Sequence, residues 1–184
     1  MLKKKGKALV LSIISAVLGL LTFVSFGVTW ATIMNPTNSS NVLTKLSYKQ
    51  FSESFLKAEK SALFDPTYLK LANVVMIIAL ICVVALAVLT VLSIFVDHKV
   101  LKLVAKILGI VTLLILIAYV VLFMAGGMTC FKDTNIYTPN ATINIGMSTV
   151  MVLPMYGAGL IATFGVFSAF LALLSNKRKK EKNN

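Results

Sequence analysis

The sequence predicts an all-α membrane protein: a bundle of four transmembrane helices with a partly helical first outer loop. Three observations predict this fold class. The 184 residues are 58% hydrophobic, whereas soluble domains are usually about 45–50% apolar. The excess lies in four long uncharged blocks, each near the ~20 apolar residues that cross a bilayer as a helix. The third observation is the position of the basic residues, which follows the positive-inside pattern of a multi-pass, tetraspan chain.

The basic residues predict which way the chain crosses the membrane. There are 18 Lys and Arg residues against 6 Asp and Glu, a formal net charge of +12. Four spans would place twelve of the 18 on one side: Lys3, Lys4, Lys5, Lys7, Lys99, Lys102, Lys106, Lys177, Arg178, Lys179, Lys180 and Lys182. Because Lys and Arg favour the cytoplasmic side, we expect both termini to be cytoplasmic in a cell membrane. These ends should contact anionic lipid headgroups rather than nucleic acid.

A single integral membrane domain, residues 1–184, uses the whole length. Its spans are predicted at approximately 8–30, 71–96, 103–127 and 148–175, with outer loops at 31–70 and 128–147. The first apolar block exceeds the ~7–15 residues of a signal-peptide core, so it is interpreted as an uncleaved span. Trp30 ends this block, at a boundary where indole rings favour the headgroup layer.

The first outer loop is predicted to contain one amphipathic helix, Val42 to Phe64, after a turn-rich polar stretch at 35–41. Tyr48, Phe51 and Phe55 recur at helical spacing and form its apolar face. Two interpretations stay open. The face is either a lid or partner-binding surface, or it simply packs on the outer ends of the spans, which the pattern favours. The helix should end before Pro66.

The second and third spans form a hairpin through a short basic turn, 97–102. Gly126 and Gly127 supply an easy stop for the third helix. In the second outer loop, a Pro-Asn turn at 139–140 separates two stretches that are compatible with a two-stranded hairpin. Cys82 and Cys130 lie at different depths, so no disulfide between them is expected.

The fourth span carries a stripe of small residues: Ala158, Ala162, Gly165, Ala169 and Ala172. Small side chains let helix backbones approach closely in lipid, so the stripe predicts a helix-packing seam. The favoured interpretation is packing within the protein's own bundle, and the alternative is a seam for a second subunit or a partner's helix. Pro154 either lies in the first turn of this helix or kinks it.

The residues that catalysis and ion transport need are missing from the four uncharged blocks, 8–30, 71–96, 107–127 and 148–175. These blocks contain no Asp, Glu, Lys, Arg or His, and such groups usually mark an ion path or proton relay. His98 is the only histidine. No catalytic set and no metal-ligand spacing can be assembled, so neither an enzyme nor a bound cofactor or metal is expected.

The order of segments is also informative: a short inner N-terminus, a larger first outer loop, a tight inner turn, a smaller second outer loop and a basic inner tail. Trp30 follows the first span directly. This layout resembles the claudin-like tetraspan families, whose first-loop signature opens with a tryptophan. The second tryptophan and the two cysteines of that signature are absent from this loop. The resemblance implies a shared architecture rather than a function.

These features predict a non-enzymatic multi-pass membrane protein that acts by interaction, as an accessory, assembly or adhesion-type subunit. Besides the lipid bilayer, its partner would be another membrane protein or further copies of itself. The alternative is a small channel or transporter subunit that works as an oligomer, since oligomers can line pores with Ser, Thr and backbone groups.

Overall fold

The computed structural model describes residues 2–34, 42–61, 63–96, 99–130, 134–138, 141–145, 151–154 and 156–175. The turn-rich stretch at 35–41, the Pro-Asn turn at 139–140 and the basic tail at 177–182 lie outside the described residues. The helices are α1 (Leu2–Leu21, continued by a 3₁₀ segment, Thr22–Gly27), α2 (Tyr48–Phe51, continued by a π-helical segment, Ser52–Leu56), α3 (Thr67–Phe95), α4 (Lys99–Thr129) and α5 (Tyr156–Ser175). The strands are β1 (Ala31–Met34), β2 (Val42–Leu46), β3 (Thr134–Thr138), β4 (Ala141–Ile145) and β5 (Met151–Pro154).

Within the described part of the chain, four helices are long and apolar enough to cross a membrane: α1 with its 3₁₀ segment, α3, α4 and α5. The protein is therefore an integral membrane protein with four spans packed as a bundle, and the predicted fold class is confirmed. Neighbours round the bundle are α1–α3, α3–α4, α4–α5 and α5–α1. We call the end that carries the strands and α2 the loop end, and the opposite end, where α4 begins at Lys99, the basic end.

Several helix boundaries differ from the predicted ones, and two of the differences change the structure of the loop end. The fourth helix begins at Tyr156 rather than near 148, because Met151–Pro154 forms a strand that ends at the proline. The third helix does not stop at its glycine pair and continues to Thr129. Gly126 instead allows a close approach to α3, since a Cβ there would lie 2.8 Å from the backbone nitrogen of Leu69.

At the loop end, a three-stranded antiparallel sheet joins the loop between the first two spans to the loop between the last two. Its order is β2-β1-β5, with Thr32 opposite both Lys45 and Leu153. The sequence did not predict this sheet. The predicted hairpin of the second loop is confirmed, because β3 and β4 pair antiparallel with Tyr137 opposite Thr142.

The prediction of a single amphipathic helix over Val42–Phe64 is wrong. Its first five residues form β2, because their backbone pairs with β1. The helix begins only after Ser47, whose side chain and backbone N–H form a reciprocal capping box with Gln50. The first loop is thus partly helical, as predicted, but the helix is much shorter.

The interior of the bundle changes character along its axis. The half at the loop end is filled by bulky side chains, including Trp30, Met76, Leu116, Tyr119, Phe123 and Ile161. The half at the basic end is built around Leu86 mainly from small and hydroxyl-bearing residues: Ser12, Ser15, Thr90, Ser93, Thr112, Ser168, Ala169 and Ala172. The helices therefore pack closely in the half at the basic end, whereas bulky and aromatic side chains fill the half at the loop end.

Candidate functional site

The best-defined feature at the loop end is a cluster of aromatic rings that closes this end of the bundle. We call it the aromatic cap, and it consists of Phe26, Trp30, Tyr48, Phe51, Phe55, Phe64, Tyr119 and Phe123. Its rings come from the end of the first span, the first loop and α4. Offset and edge-to-face ring pairs add stabilisation beyond the area that they bury. The cap therefore fixes the first loop to the spans.

Trp30 lies at the centre of the cap and is only 1% exposed. Its ring stacks on Phe26 at a centroid distance of 5.1 Å and meets Tyr48 edge-on at 4.7 Å. Its indole Nε1 has no hydrogen-bond partner in the described part of the chain, so ring packing holds the side chain. The prediction that Trp30 is an anchor in the headgroup layer is wrong, because protein rather than lipid surrounds it.

The three residues predicted as an outer apolar face all belong to the cap. Phe51 and Phe55 are buried, and Phe51 stacks on Phe123 of α4 at 5.5 Å. Tyr48 is half-buried, and its hydroxyl donates a hydrogen bond of 3.0 Å to Oδ1 of Asn73 on α3. Burial raises the pKa of Tyr48. These side chains point toward the bundle, so they are not an exposed lid surface.

The far end of the first loop is held at Asp65, just before α3. Its carboxylate pairs with the ammonium of Lys60 at 2.7 Å and accepts a 2.5 Å hydrogen bond from the Thr67 hydroxyl. Hydrogen bonds from Lys60 and Thr67 hold the pKa of Asp65 well below its usual value. The Asp65 N–H donates to the carbonyl of Cys130 at 2.7 Å. One residue thus links the loop to the ends of both α3 and α4.

The start of α5 is attached to the cap through Gly157. Its N–H donates to the carbonyl of Thr29 at 2.7 Å. A Cβ at Gly157 would lie 2.6 Å from the carbonyl oxygen of Ser25 and 2.9 Å from Cε3 of Trp30. Only glycine allows the start of α5 to lie this close to Ser25 and Trp30. The sequence did not predict this role.

The outer side of the first loop is polar. We call this surface the platform, and it comprises the exposed residues Thr44, Lys45, Ser47, Lys49, Gln50, Glu53, Ser54, Lys57, Glu59 and Lys60. Beneath it lie β2, α2 and the buried rings of Phe51 and Phe55. The platform is therefore a charged surface on a folded, anchored support.

The predicted small-residue stripe lies inside the bundle. Ala158, Gly165, Ala169 and Ala172 are buried and Ala162 is partly buried. A Cβ at Gly165 would meet the side chain of Leu116 on α4 at 2.9 Å. Four of the five residues thus face neighbouring helices of this chain, which leaves little of the stripe for another subunit.

A pair of serines joins α1 to α5 next to this stripe. The Ser15 hydroxyl donates to the carbonyl of Ser168, and the Ser168 hydroxyl donates to the carbonyl of Ser15, each at 2.8 Å. The sequence analysis did not find this reciprocal pair. A signal was available, since both serines lie in otherwise apolar spans, where hydroxyl groups commonly bond between helices.

Several other buried hydroxyls bond to their own helices, whereas those of Thr32 and Thr90 have no hydrogen-bond partner in the described part of the chain. The hydroxyls of Thr22, Ser93 and Thr112 donate to backbone carbonyls three or four residues earlier, at 2.6, 2.8 and 2.7 Å. The Cys130 thiol donates to the carbonyl of Gly127 at 3.6 Å, and the absence of a disulfide between Cys82 and Cys130 stays a prediction. Among the described residues, no group of three or more His, Cys, Asp or Glu side chains could hold a metal ion.

The chain matches no family model, and comparisons with curated proteins and with solved structures also find no match. Of the resemblance to claudin-like proteins, the structure supports the four-span layout and identifies no family.

Proposed function

We propose that this protein is a non-enzymatic accessory, assembly or adhesion-type subunit that binds a protein partner through the platform at the loop end. The observation that carries the proposal is the anchoring of the platform. Aromatic packing and backbone hydrogen bonds hold the first loop on α3, α4 and α5. A loop that only connects two spans does not need such a support, whereas a pre-organised surface loses less entropy when it binds.

The charge of the platform indicates the chemistry of the partner. Lys60 is paired with Asp65, and the remaining basic residues, Lys45, Lys49 and Lys57, outnumber Glu53 and Glu59 on this surface. Complementary charge steers association and selects among partners. The partner surface is therefore proposed to be acidic.

The test is affinity purification in mild detergent, comparing wild type with the double charge reversal K49E/K57E. The matched control is K49R/K57R, which keeps the charge at the same exposed positions. We expect the reversal to reduce the recovered partner about tenfold, because it places like charges opposite each other. Equal recovery with both double variants would contradict a charged docking surface.

The sidedness proposed here places the platform outside the cell and the basic end in the cytoplasm. Ser54→Cys lies on the platform and Lys99→Cys at the basic end, and both positions are exposed. In a background without native cysteines, an impermeant thiol reagent should label Ser54→Cys in intact cells. Lys99→Cys should be labelled only after the membrane is permeabilised, and the reverse order would overturn the sidedness.

The second candidate function is a channel or transporter subunit that works as an oligomer. It rests on the hydroxyl-bearing interior near the basic end. Against a path through one chain, hydroxyls such as those of Ser93 and Thr112 already donate to backbone carbonyls. Reconstituted vesicles that pass ions or small solutes, with the flux lost in Thr112→Val, would favour this candidate.

A further inference from the structure

A groove between α1 and α3 opens toward the lipid in the half of the bundle nearer the basic end. Its volume is about 310 Å³. It is lined by Ala16, Gly19 and Leu20 of α1 and by Val84, Val88 and Leu92 of α3, among others. All its lining residues are apolar, so the part of a ligand that enters it must be apolar as well.

Small side chains create this groove. The two helices meet at Gly19, where a Cβ would lie 3.1 Å from the side chain of Val83. Beside this contact, Ala16 and Ala87 are too short to fill the space between the helices. Of the neighbouring helix pairs in the bundle, α1 and α3 contact each other least. An empty groove would lose dispersion contacts, so hydrocarbon must fill it.

The length of the groove matches one leaflet. Along α3 it extends from Val84 to Leu92, which corresponds to about 12 Å at the rise of an α-helix. Half of the hydrocarbon core of a bilayer is about 15 Å. A single acyl chain that enters from the basic end is therefore long enough to fill the groove. A membrane-crossing helix would extend well beyond it.

Charge at the basic end indicates the headgroup. Lys7 is exposed on α1, and its position nine residues before Ala16 places it about 13 Å closer to the basic end. Lys3, Lys4 and Lys5 precede it in the sequence, and the exposed Lys99 begins α4 just after α3 ends. We infer that the groove binds an acyl chain of an anionic phospholipid whose phosphate lies near Lys7 and Lys99. This site is separate from the platform and does not depend on the proposed partner.

The experiment uses the full chain purified in detergent and native mass spectrometry with added phosphatidylglycerol or phosphatidylcholine. Val88→Trp fills the groove from an exposed position of α3. Ile81→Trp is the matched control, because Ile81 is also exposed on α3 but lines a second α1–α3 groove, of about 490 Å³, nearer the loop end. Lys7→Gln tests the headgroup contact.

We expect wild type and Ile81→Trp to retain phosphatidylglycerol in preference to phosphatidylcholine. Retention should fall about tenfold in Val88→Trp, which corresponds to a tenfold change in the binding constant, and should also fall in Lys7→Gln. Thermal stability measured without lipid checks that each variant folds. Equal retention of both lipids by wild type, or unchanged retention in Val88→Trp, would overturn the inference. A dimer that both tryptophan variants disrupt would also overturn it, because a second copy would then occupy the grooves.

Discussion

The close approach of Gly157 to the cap leads to a sharp prediction for Gly157→Ala. The added methyl carbon would lie 2.6 Å from the carbonyl oxygen of Ser25 and 3.1 Å from that of Thr29. Both atoms belong to the backbone, so neither can move aside as a flexible side chain could. The start of α5 must therefore shift away from the cap.

The expected cost follows from two losses. Overpacking of a filled site costs typically about 1–3 kcal/mol. The shift also weakens the 2.7 Å hydrogen bond from the Gly157 N–H to Thr29, and a hydrogen bond contributes about 1 kcal/mol. A total near 3 kcal/mol lowers Tm by about 6–12 °C in a chain of this length.

Trp30 is the only tryptophan and lies within the cap, so its fluorescence in detergent reports thermal unfolding there directly. Gly159→Ala is the control, since a Cβ at Gly159 would meet nothing within 4 Å. We expect this control to change the free energy of unfolding by less than about 1 kcal/mol. If Gly157→Ala and Gly159→Ala unfolded at the same temperature, the packing described for the cap would be wrong.

Three further predictions concern polar contacts. Ser168→Ala removes one of the two reciprocal hydrogen bonds with Ser15 and should cost about 0.6 kcal/mol, at most about 1.7; a Tm equal to that of wild type would argue against the pair. Asp65 has a lowered pKa, so its contribution to stability is present above the usual value of about 3.9 and is lost as pH falls below it. Asp65→Asn should remove that part of the pH dependence of Tm, and an unchanged profile would contradict it. Tyr48→Phe loses the hydrogen bond to Asn73 and should cost about 1 kcal/mol. Because the pKa of Tyr48 is raised, wild type should also lose stability above about pH 10, a loss that the phenylalanine variant should lack.

The four spans were predictable because lipid imposes a simple rule. A segment that crosses the hydrocarbon core must be apolar and must satisfy its backbone groups internally, so long apolar runs become helices. The small-residue stripe from Ala158 to Ala172 was recognisable for a related reason, since close packing in lipid needs small side chains at helical spacing.

The sheet at the loop end was not predictable by the same rule. β1 and β5 are four residues each and mostly apolar, and short apolar runs do not distinguish a strand from the continuation of a helix. Their pairing also joins segments that are far apart in the sequence. The start of α2, in contrast, was predictable. Ser47 and Gln50 have the spacing of a capping box, which marks where the helix begins.

The roles of Trp30 and Gly157 depend on this same long-range arrangement. A tryptophan at the end of a span is usually an interfacial residue. Trp30 becomes buried only when the first loop folds over the end of the bundle. The role of Gly157 is not visible in its local sequence, because its close contacts are with Ser25, Thr29 and Trp30, at the end of the first span. Local pattern thus identified the spans, whereas the cap required the tertiary structure.

The central claim is that the loop between the first two spans and the loop between the last two fold together at one end of a four-span bundle. Disulfide crosslinking tests this claim most directly. Ile33 of β1 lies opposite Val152 of β5, and paired antiparallel residues have Cα separations of about 4.5–5.5 Å, which a disulfide can bridge. In membranes, with Cys82 and Cys130 replaced by alanine, Ile33→Cys with Val152→Cys should crosslink on mild oxidation. Ile33→Cys with Ser54→Cys should not. Failure of the first pair to crosslink while both cysteines remain reactive, or equal crosslinking of the two pairs, would contradict the fold on which the proposed function depends.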